Sequence, residues 1–201
     1  MSGWAWAALG LYVAWAVAAF GVRGAVQRRR TGDAGFRGIS GRPGEAAWWA
    51  GVLFVVALLG GAAAPVATLA GLPTAEHPAL QWGGLAVTLA AMGATLVAQT
   101  DMGASWRVGV AAGERTELVT AGLFAHVRNP VFTAMTAAAT GLALVLPHAV
   151  SLAALAALVV AIQLQVRVVE EPYLTTVHGD AYAAYTARAG RFLPGIGRRT
   201  A

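Results

Sequence analysis

The chain has no cysteine, which excludes both a disulfide framework and a thiolate metal site. Lysine is absent too: all 14 basic residues are arginine, set against only 9 acids. Charged residues make up 11% of the 201 positions and hydrophobic ones 58%, whereas a soluble domain is about a quarter charged. Water is therefore not its main solvent. The four histidines, His77, His126, His148 and His178, are scattered, and none forms a metal-ligand pair such as HExxH. No metal is expected. Nor does the arginine excess point to nucleic acid, because no basic stripe interleaved with aromatics lies on a soluble module.

What the chain does have is long apolar runs. About 18 or more apolar residues suffice to cross the hydrocarbon core as a helix. Such runs span about Trp4–Val22, Ala46–Leu69, Leu80–Ala98, Val131–Leu146 and Ala149–Val166. Only Pro147-His148 separates the last two, so they read as a helix–turn–helix hairpin with a somewhat short first arm. Trp4, Trp6, Trp48, Trp49 and Trp82 fall near run ends, where amphipathic rings favour the interface. The first run lacks a positively charged start, and its arginines come after it, which predicts a retained membrane helix rather than a cleaved signal peptide.

Arginine placement tests the span count. Arg23, Arg28, Arg29, Arg30, Arg37 and Arg42 follow the first run; Arg107, Arg115 and Arg128 lie between the third and fourth; Arg167, Arg188, Arg191, Arg198 and Arg199 follow the fifth. The connection Ala70–Ala79 and the hairpin turn hold none. With five spans every arginine falls on one side, which the positive-inside rule makes cytoplasmic, with the N-terminus outside. The expectation is an all-α polytopic protein of the inner or plasma membrane, with about five transmembrane helices, a C-terminal hairpin and a cytoplasmic interfacial helix. Residues 1–201 read as one membrane domain, a three-helix part over 1–98 and a catalytic part over 99–201. The first loop, rich in Arg and Gly, looks flexible and reads as a topology signal touching anionic lipid.

Chemistry belongs in the two non-spanning stretches, Gln99–Asn129 and Glu170 onward, which hold most of the acids. In "GLFAHVRNPVF", Asn129 is a good N-cap and Pro130 suits the first helical position. A helix start is an anion site, and Arg128 adds a fork that grips a carboxylate at two points. The plain alternative is a capped membrane helix with Arg128 reaching lipid phosphate. In "RVVEEPYLTTVHGDAYAAY", Arg167, Glu170 and Glu171 stand where the last span leaves the bilayer, a place where ionisable groups usually face partners or a water-filled cavity. Spacings of three and four also allow simple local salt bridges from Arg167 to either acid. Tyr182 and Tyr185 share a helical face, which fits an interfacial amphipathic helix. Asp101–Val110 reads as an interfacial loop closing the site, with Trp106 and Arg107 as cofactor or headgroup contacts.

Taken together these stretches resemble the isoprenylcysteine carboxyl methyltransferase family of integral membrane methyltransferases. That family carries Leu-Val-Thr-x-Gly-x-Tyr, then Arg-His-Pro-x-Tyr, a membrane hairpin, and a Glu-Glu-x-x-Leu…Gly-x-x-Tyr-x-x-Tyr…Pro tail. The corresponding residues are Leu118-Val119-Thr120-x-Gly122-x-Phe124, Arg128-Asn129-Pro130-x-Phe132, and Glu170-Glu171-x-x-Leu174…Gly179-x-x-Tyr182-x-x-Tyr185…Pro194. Asn129 replaces the usual histidine, and Phe124 and Phe132 replace tyrosines. The resemblance covers roughly the C-terminal half.

The resemblance implies S-adenosyl-L-methionine as methyl donor. Glu117, Leu118, Val119 and Phe124 would line its adenosine end, Asn129, Pro130, Val131 and Phe132 would offer helix-start amides and an aromatic face, and Glu170 would accept from its ammonium or ribose hydroxyls. Arg128, Arg167 and Glu171 are the candidate catalytic groups. Arg167 would position a carboxylate acceptor, the favoured class, and Glu171 would serve as base for an amine or hydroxyl. The implied partners are a lipophilic small molecule or lipidated substrate, arriving sideways from the bilayer, and membrane lipids. Rival readings are a phospholipid or other amine methyltransferase, a sterol-reductase-like enzyme using NADPH, and a non-catalytic membrane scaffold.

Overall fold

A computed structural model describes residues 2–109 and 117–199. Val110 and Arg115, which the loop reading and the arginine count used, lie outside them. Helix α1 (Ser2–Ala16) runs unbroken through a π-helical turn, Val17–Val22, into α2 (Arg23–Thr31). Then come α3 (Ala46–Leu69), α4 (Pro78–Asp101), α5 (Pro130–Val145) and α6 (Ala149–Leu164), the last continuing through a second π turn, Gln165–Glu170, into α7 (Glu171–Arg188). Four of these helical runs are long and apolar enough to cross a membrane, and Pro130–Val145 is a shorter apolar helix. The protein is thus the all-helical polytopic membrane protein expected, short hairpin arm included. Only helices satisfy every backbone amide within one segment, which hydrocarbon demands.

Lipid tails are as apolar as leucine, so the helices associate by close fit rather than by hydrophobic drive. Leu59, Trp6, Trp82 and Leu152 point outward, while Ala5, Ala8, Ala57 and Ala161 are buried between helices. α4 packs along α5, α3 along α6, and α1 against α3. The α4–α5 seam shows why small residues are needed. A Cβ on Gly84 would lie 2.6 Å from the Gly141 carbonyl oxygen, and one on Gly141 would strike the Thr88 hydroxyl.

At the hairpin end His148 caps α6. The Ser151 amide donates to its Nδ1 (3.4 Å), so Nε2 carries the proton and faces the Ala64 carbonyl (3.2 Å) and the Thr68 hydroxyl (3.1 Å). One imidazole therefore ties the hairpin to the end of α3. The opposite end carries the arginines.

There the first loop is ordered, where its composition suggests flexibility. Phe36 pairs with Val108 in a parallel bridge, the Arg37 amide donating to the Val108 carbonyl (3.0 Å) and the Val108 amide to the Gly35 carbonyl (2.8 Å). The Phe36 and Trp106 rings meet edge to face at 5.9 Å. Arg23 lies 5.1 Å over the same indole and donates to the Gly103 carbonyl (2.6 Å), while Gln27 Nε2 reaches the Ala104 carbonyl (2.7 Å). Asp33 completes the turn: the hydrogen bond from Arg37, then that from the Gly35 amide, hold its carboxyl below the ordinary range. Two loops that are distant in sequence thus form one roof.

Candidate active site

Beneath that roof lie two adjoining cavities. The larger, about 440 Å3, is mostly apolar and runs between Phe20, Phe54, Leu58 and Met135; the smaller, about 120 Å3, is walled by Glu117, Leu118, Tyr173 and Tyr185. Arg107, Phe124, Arg128, Asn129 and Glu170 line both. All nine residues expected at the donor are in these walls: Glu117, Leu118 and Val119 in the smaller, Pro130, Val131 and Phe132 in the larger, and Phe124, Asn129 and Glu170 in both.

The local reasons are visible. Gly122 takes φ +60°, and a Cβ there would also collide with the Asp101 carboxylate, so the turn requires glycine on both counts. That carboxylate accepts from the Leu123 amide (2.9 Å) and so fixes the turn that delivers Phe124. Tyr185 donates its hydroxyl to the Phe124 carbonyl (2.7 Å), and Tyr182 and Tyr185 are buried against Leu118 and Leu174. The tyrosine pair therefore faces inward and staples the cavity wall. Helix α7 reaches it by turning at Gly179 (φ 47°).

Asn129 corrects an expectation. It is the N-cap residue of α5, yet its side chain makes no cap bond; Nδ2 instead donates to the Arg191 carbonyl (3.0 Å). Pro130 at the first position has no N–H, and the amides of Val131 and Phe132 lack a carbonyl one turn back in their own helix. The helix start is thus open without being side-chain capped.

Glu171 and Arg128 also differ from their assigned roles. Arg128 does grip a carboxylate, but it is that of Glu171 (3.0 Å), and its other nitrogen donates to the Ala189 carbonyl (2.8 Å). Arg191 donates to both Glu171 oxygens (2.7 and 3.0 Å), and Arg199 to Oε2 (2.7 Å). A carboxylate held by three guanidiniums, itself 3% exposed, has no oxygen left to take a proton. It is a clasp, not a base. The same clasp pins the tail, since the Arg128 amide donates to the Gly190 carbonyl (2.8 Å) and the Gly190 amide to the His126 carbonyl (3.1 Å).

Arg167 is not brought to the site. It is exposed, its Nε donates to Gln163 Oε1 (2.8 Å), and it lines neither cavity. The reason is the π turn. A π-helix places residue i against i+5 rather than i+3 or i+4, so Gln165 Nε2 donates to Glu170 Oε1 (3.2 Å) and Arg167 is rotated away. Other wall residues carry no motif: Phe36, Gly38 and Ile39 from the first loop, and Gln99 and Gln165. A signal existed only for Trp106 and Arg107; both line the larger cavity, with Arg107 5.7 Å over the Tyr173 ring.

Fold and cavities define a class: a polytopic membrane protein with a part-polar, part-apolar void at the arginine-bearing end of its helices. The family model of the phospholipid methyltransferases matches residues 80–181, just over half of the chain, from the start of α4 into α7. The chain belongs to the phospholipid methyltransferase family, which lies in the same membrane methyltransferase superfamily as the isoprenylcysteine carboxyl enzymes. No curated protein and no solved structure matches it.

Proposed function

We propose that the protein transfers a methyl group from S-adenosylmethionine to the nitrogen of a phospholipid headgroup at the cytoplasmic face of the membrane. The observation that carries this reading is the make-up of the shared wall, where two stretches 40 residues apart meet around one carboxylate, Glu170. Arg167, the anchor assigned to a carboxylate acceptor, lines neither cavity, so an acceptor with an ammonium group suits the wall better. The family description supports the same choice.

The cavities suit the donor in size and polarity. The larger falls within the usual range of roughly 300–1,000 Å3 for small-molecule sites. The open amides of Val131 and Phe132 and the positive end of α5 would hold the donor's carboxylate. The clasp helps, because three arginines against one glutamate (3 − 1 = 2) leave two net positive charges beside that helix start. Phe124 and Leu118 would receive the adenosine, which leaves Glu170 to the acceptor.

When bound, the donor supplies a methyl group on a sulfonium that departs as a neutral thioether. Glu170 takes the proton from the acceptor's ammonium, so that the nitrogen lone pair is free to attack. The roof of Phe36 and Trp106 excludes water, and the apolar compartment orients the acceptor's chains. Ile39 and Val55, both lining the cavity and 45% exposed, mark where a lipid enters from the bilayer. The arginine-bearing end faces the cytoplasm by the positive-inside rule.

The test is to incubate the purified protein in vesicles of a total lipid extract with methyl-labelled donor and to identify the labelled species by mass spectrometry. Labelled N-methylated aminophospholipid is expected. A labelled isoprenoid methyl ester would restore the carboxylate acceptor. Binding of NADPH rather than the methyl donor, by calorimetry, would remove the methyltransferase reading.

A further inference from the structure

Among the described residues, two arginines line both cavities, Arg107 and Arg128. Arg128 is committed to the clasp, where its guanidinium meets Glu171 and the carbonyls of Ala189 and Gly197. Arg107 is placed differently. Its guanidinium carbon lies 5.7 Å over the ring of Tyr173, which walls the smaller cavity, and its charge acts on Glu170, which borders both. The guanidinium is therefore held between two wall residues, and Arg107 is half-buried rather than sealed in. Attraction to a ring fixes a cation through its charge, and a guanidinium so held keeps the planar fork that meets a phosphate at two points.

We infer that Arg107 binds the headgroup phosphate of the lipid acceptor while Glu170 meets its amine, so that the pair selects an amine attached to a phosphodiester. The inference rests on the amine reading above and deepens it. A phospholipid amine carries a fixed negative charge a short link from its ammonium, and the wall offers the opposite signs in Arg107 and Glu170. The acyl chains then fall on the apolar side, towards Phe20, Phe54 and Leu58. Charge-assisted bonds are stronger than neutral ones, and more so where water is excluded. An amine lipid without phosphate therefore forfeits much of its headgroup affinity. The methyl donor's carboxylate has its own place at the start of α5, so the two anions use separate cations. Methylation leaves the phosphate untouched, and the same anchor serves each successive transfer.

The test compares methyl transfer by the full chain in detergent micelles to a diacyl phosphatidylethanolamine and to an amine lipid with the same chains and no phosphate. In the wild type, kcat/KM should favour the phospholipid by on the order of tenfold or more. Arg107→Gln should erase this preference through a raised KM for the phospholipid, while binding of S-adenosylhomocysteine, the demethylated donor, stays near the wild-type value by calorimetry. Arg107→Lys keeps the charge without the fork and should fall between the two, a graded response that a merely structural role does not predict. An active wild type that methylates both lipids equally well overturns the assignment even if the variants fail to fold. A folded Arg107→Gln that keeps the preference overturns it as well, and loss of S-adenosylhomocysteine binding in that variant would give Arg107 to the donor instead. If the wild type methylates neither amine, the amine reading fails and this assignment fails with it.

Discussion

Glu171 and Glu170 are adjacent in the chain and serve opposite ends. The region around Glu171 is a clasp in which Arg128, Arg191 and Arg199 occupy both carboxylate oxygens and the tail carbonyls take up further guanidinium donors. The region around Glu170 is a cavity wall, where the carboxylate accepts from Gln165 Nε2 and borders both voids. The difference separates an acid that holds the architecture from one that borders open space, which is why Glu170 and not Glu171 is the one proposed to meet a substrate. A saturated group at low exposure contributes rigidity; one with spare acceptors beside a void contributes recognition. Charge type alone does not separate them, because both are glutamates at the mouth of the same helix.

Breaking the clasp should have the largest effect. Glu171→Ala leaves Arg128, whose side chain is 2% exposed, as a buried charge without its carboxylate, a change that costs about 3–5 kcal/mol. Thermal unfolding in detergent should show a strongly lowered midpoint, and a variant as stable as wild type would mean the cluster is not a clasp. Next comes the cavity side of the comparison. Glu170→Gln should lower methyl transfer on the order of a hundredfold while the unfolding midpoint stays near the wild-type value; equal turnover would remove Glu170 from the chemistry. Tyr185→Phe tests the staple that joins the two regions. It deprives the Phe124 carbonyl of its donor, for a loss of about 1–2 kcal/mol, readable as a small fall in midpoint together with weaker donor binding. The smallest effect is expected for Arg167→Gln, within about 0.5 kcal/mol in stability and with turnover unchanged, since its bond to Gln163 is exposed. A large loss of activity there would return the carboxylate anchor to consideration.

The spans were legible because an apolar run reports directly on solvent: Ala46–Leu69 has the same bounds in sequence and structure, and Pro147-His148 does break the hairpin. The nine residues that meet in the cavity walls were legible through the order and spacing of whole motifs, which hold even where the local backbone is a loop or a π turn. Arg167 failed where it is not, since spacing rules for an α-helix do not hold inside Gln165–Glu170. Glu171's partners were illegible for a different reason. Two of them, Arg191 and Arg199, lie 20 and 28 residues away, and nothing in composition says which arginine a carboxylate will choose. The first loop hid its role in the same way. "GFRGIS" reads as flexible until Val108 offers Phe36 a partner, and that pairing is non-local.

The π turn before α7 also has a genetic meaning. It is a stretch of helix wound with one residue too many, so loss of a single codon within Gln165–Glu170 would rewind it as plain α-helix. A π turn packs its extra residue into nearly the same rotation as an α turn with one residue fewer, so α7 would keep its facing, and with it the Tyr185 staple and the Glu171 clasp. What would change is the turn itself, where Gln165 now reaches Glu170 across five residues. A chain shortened by one residue at this place would keep its spans and its clasp and lose the local winding that sets Glu170 in the cavity wall.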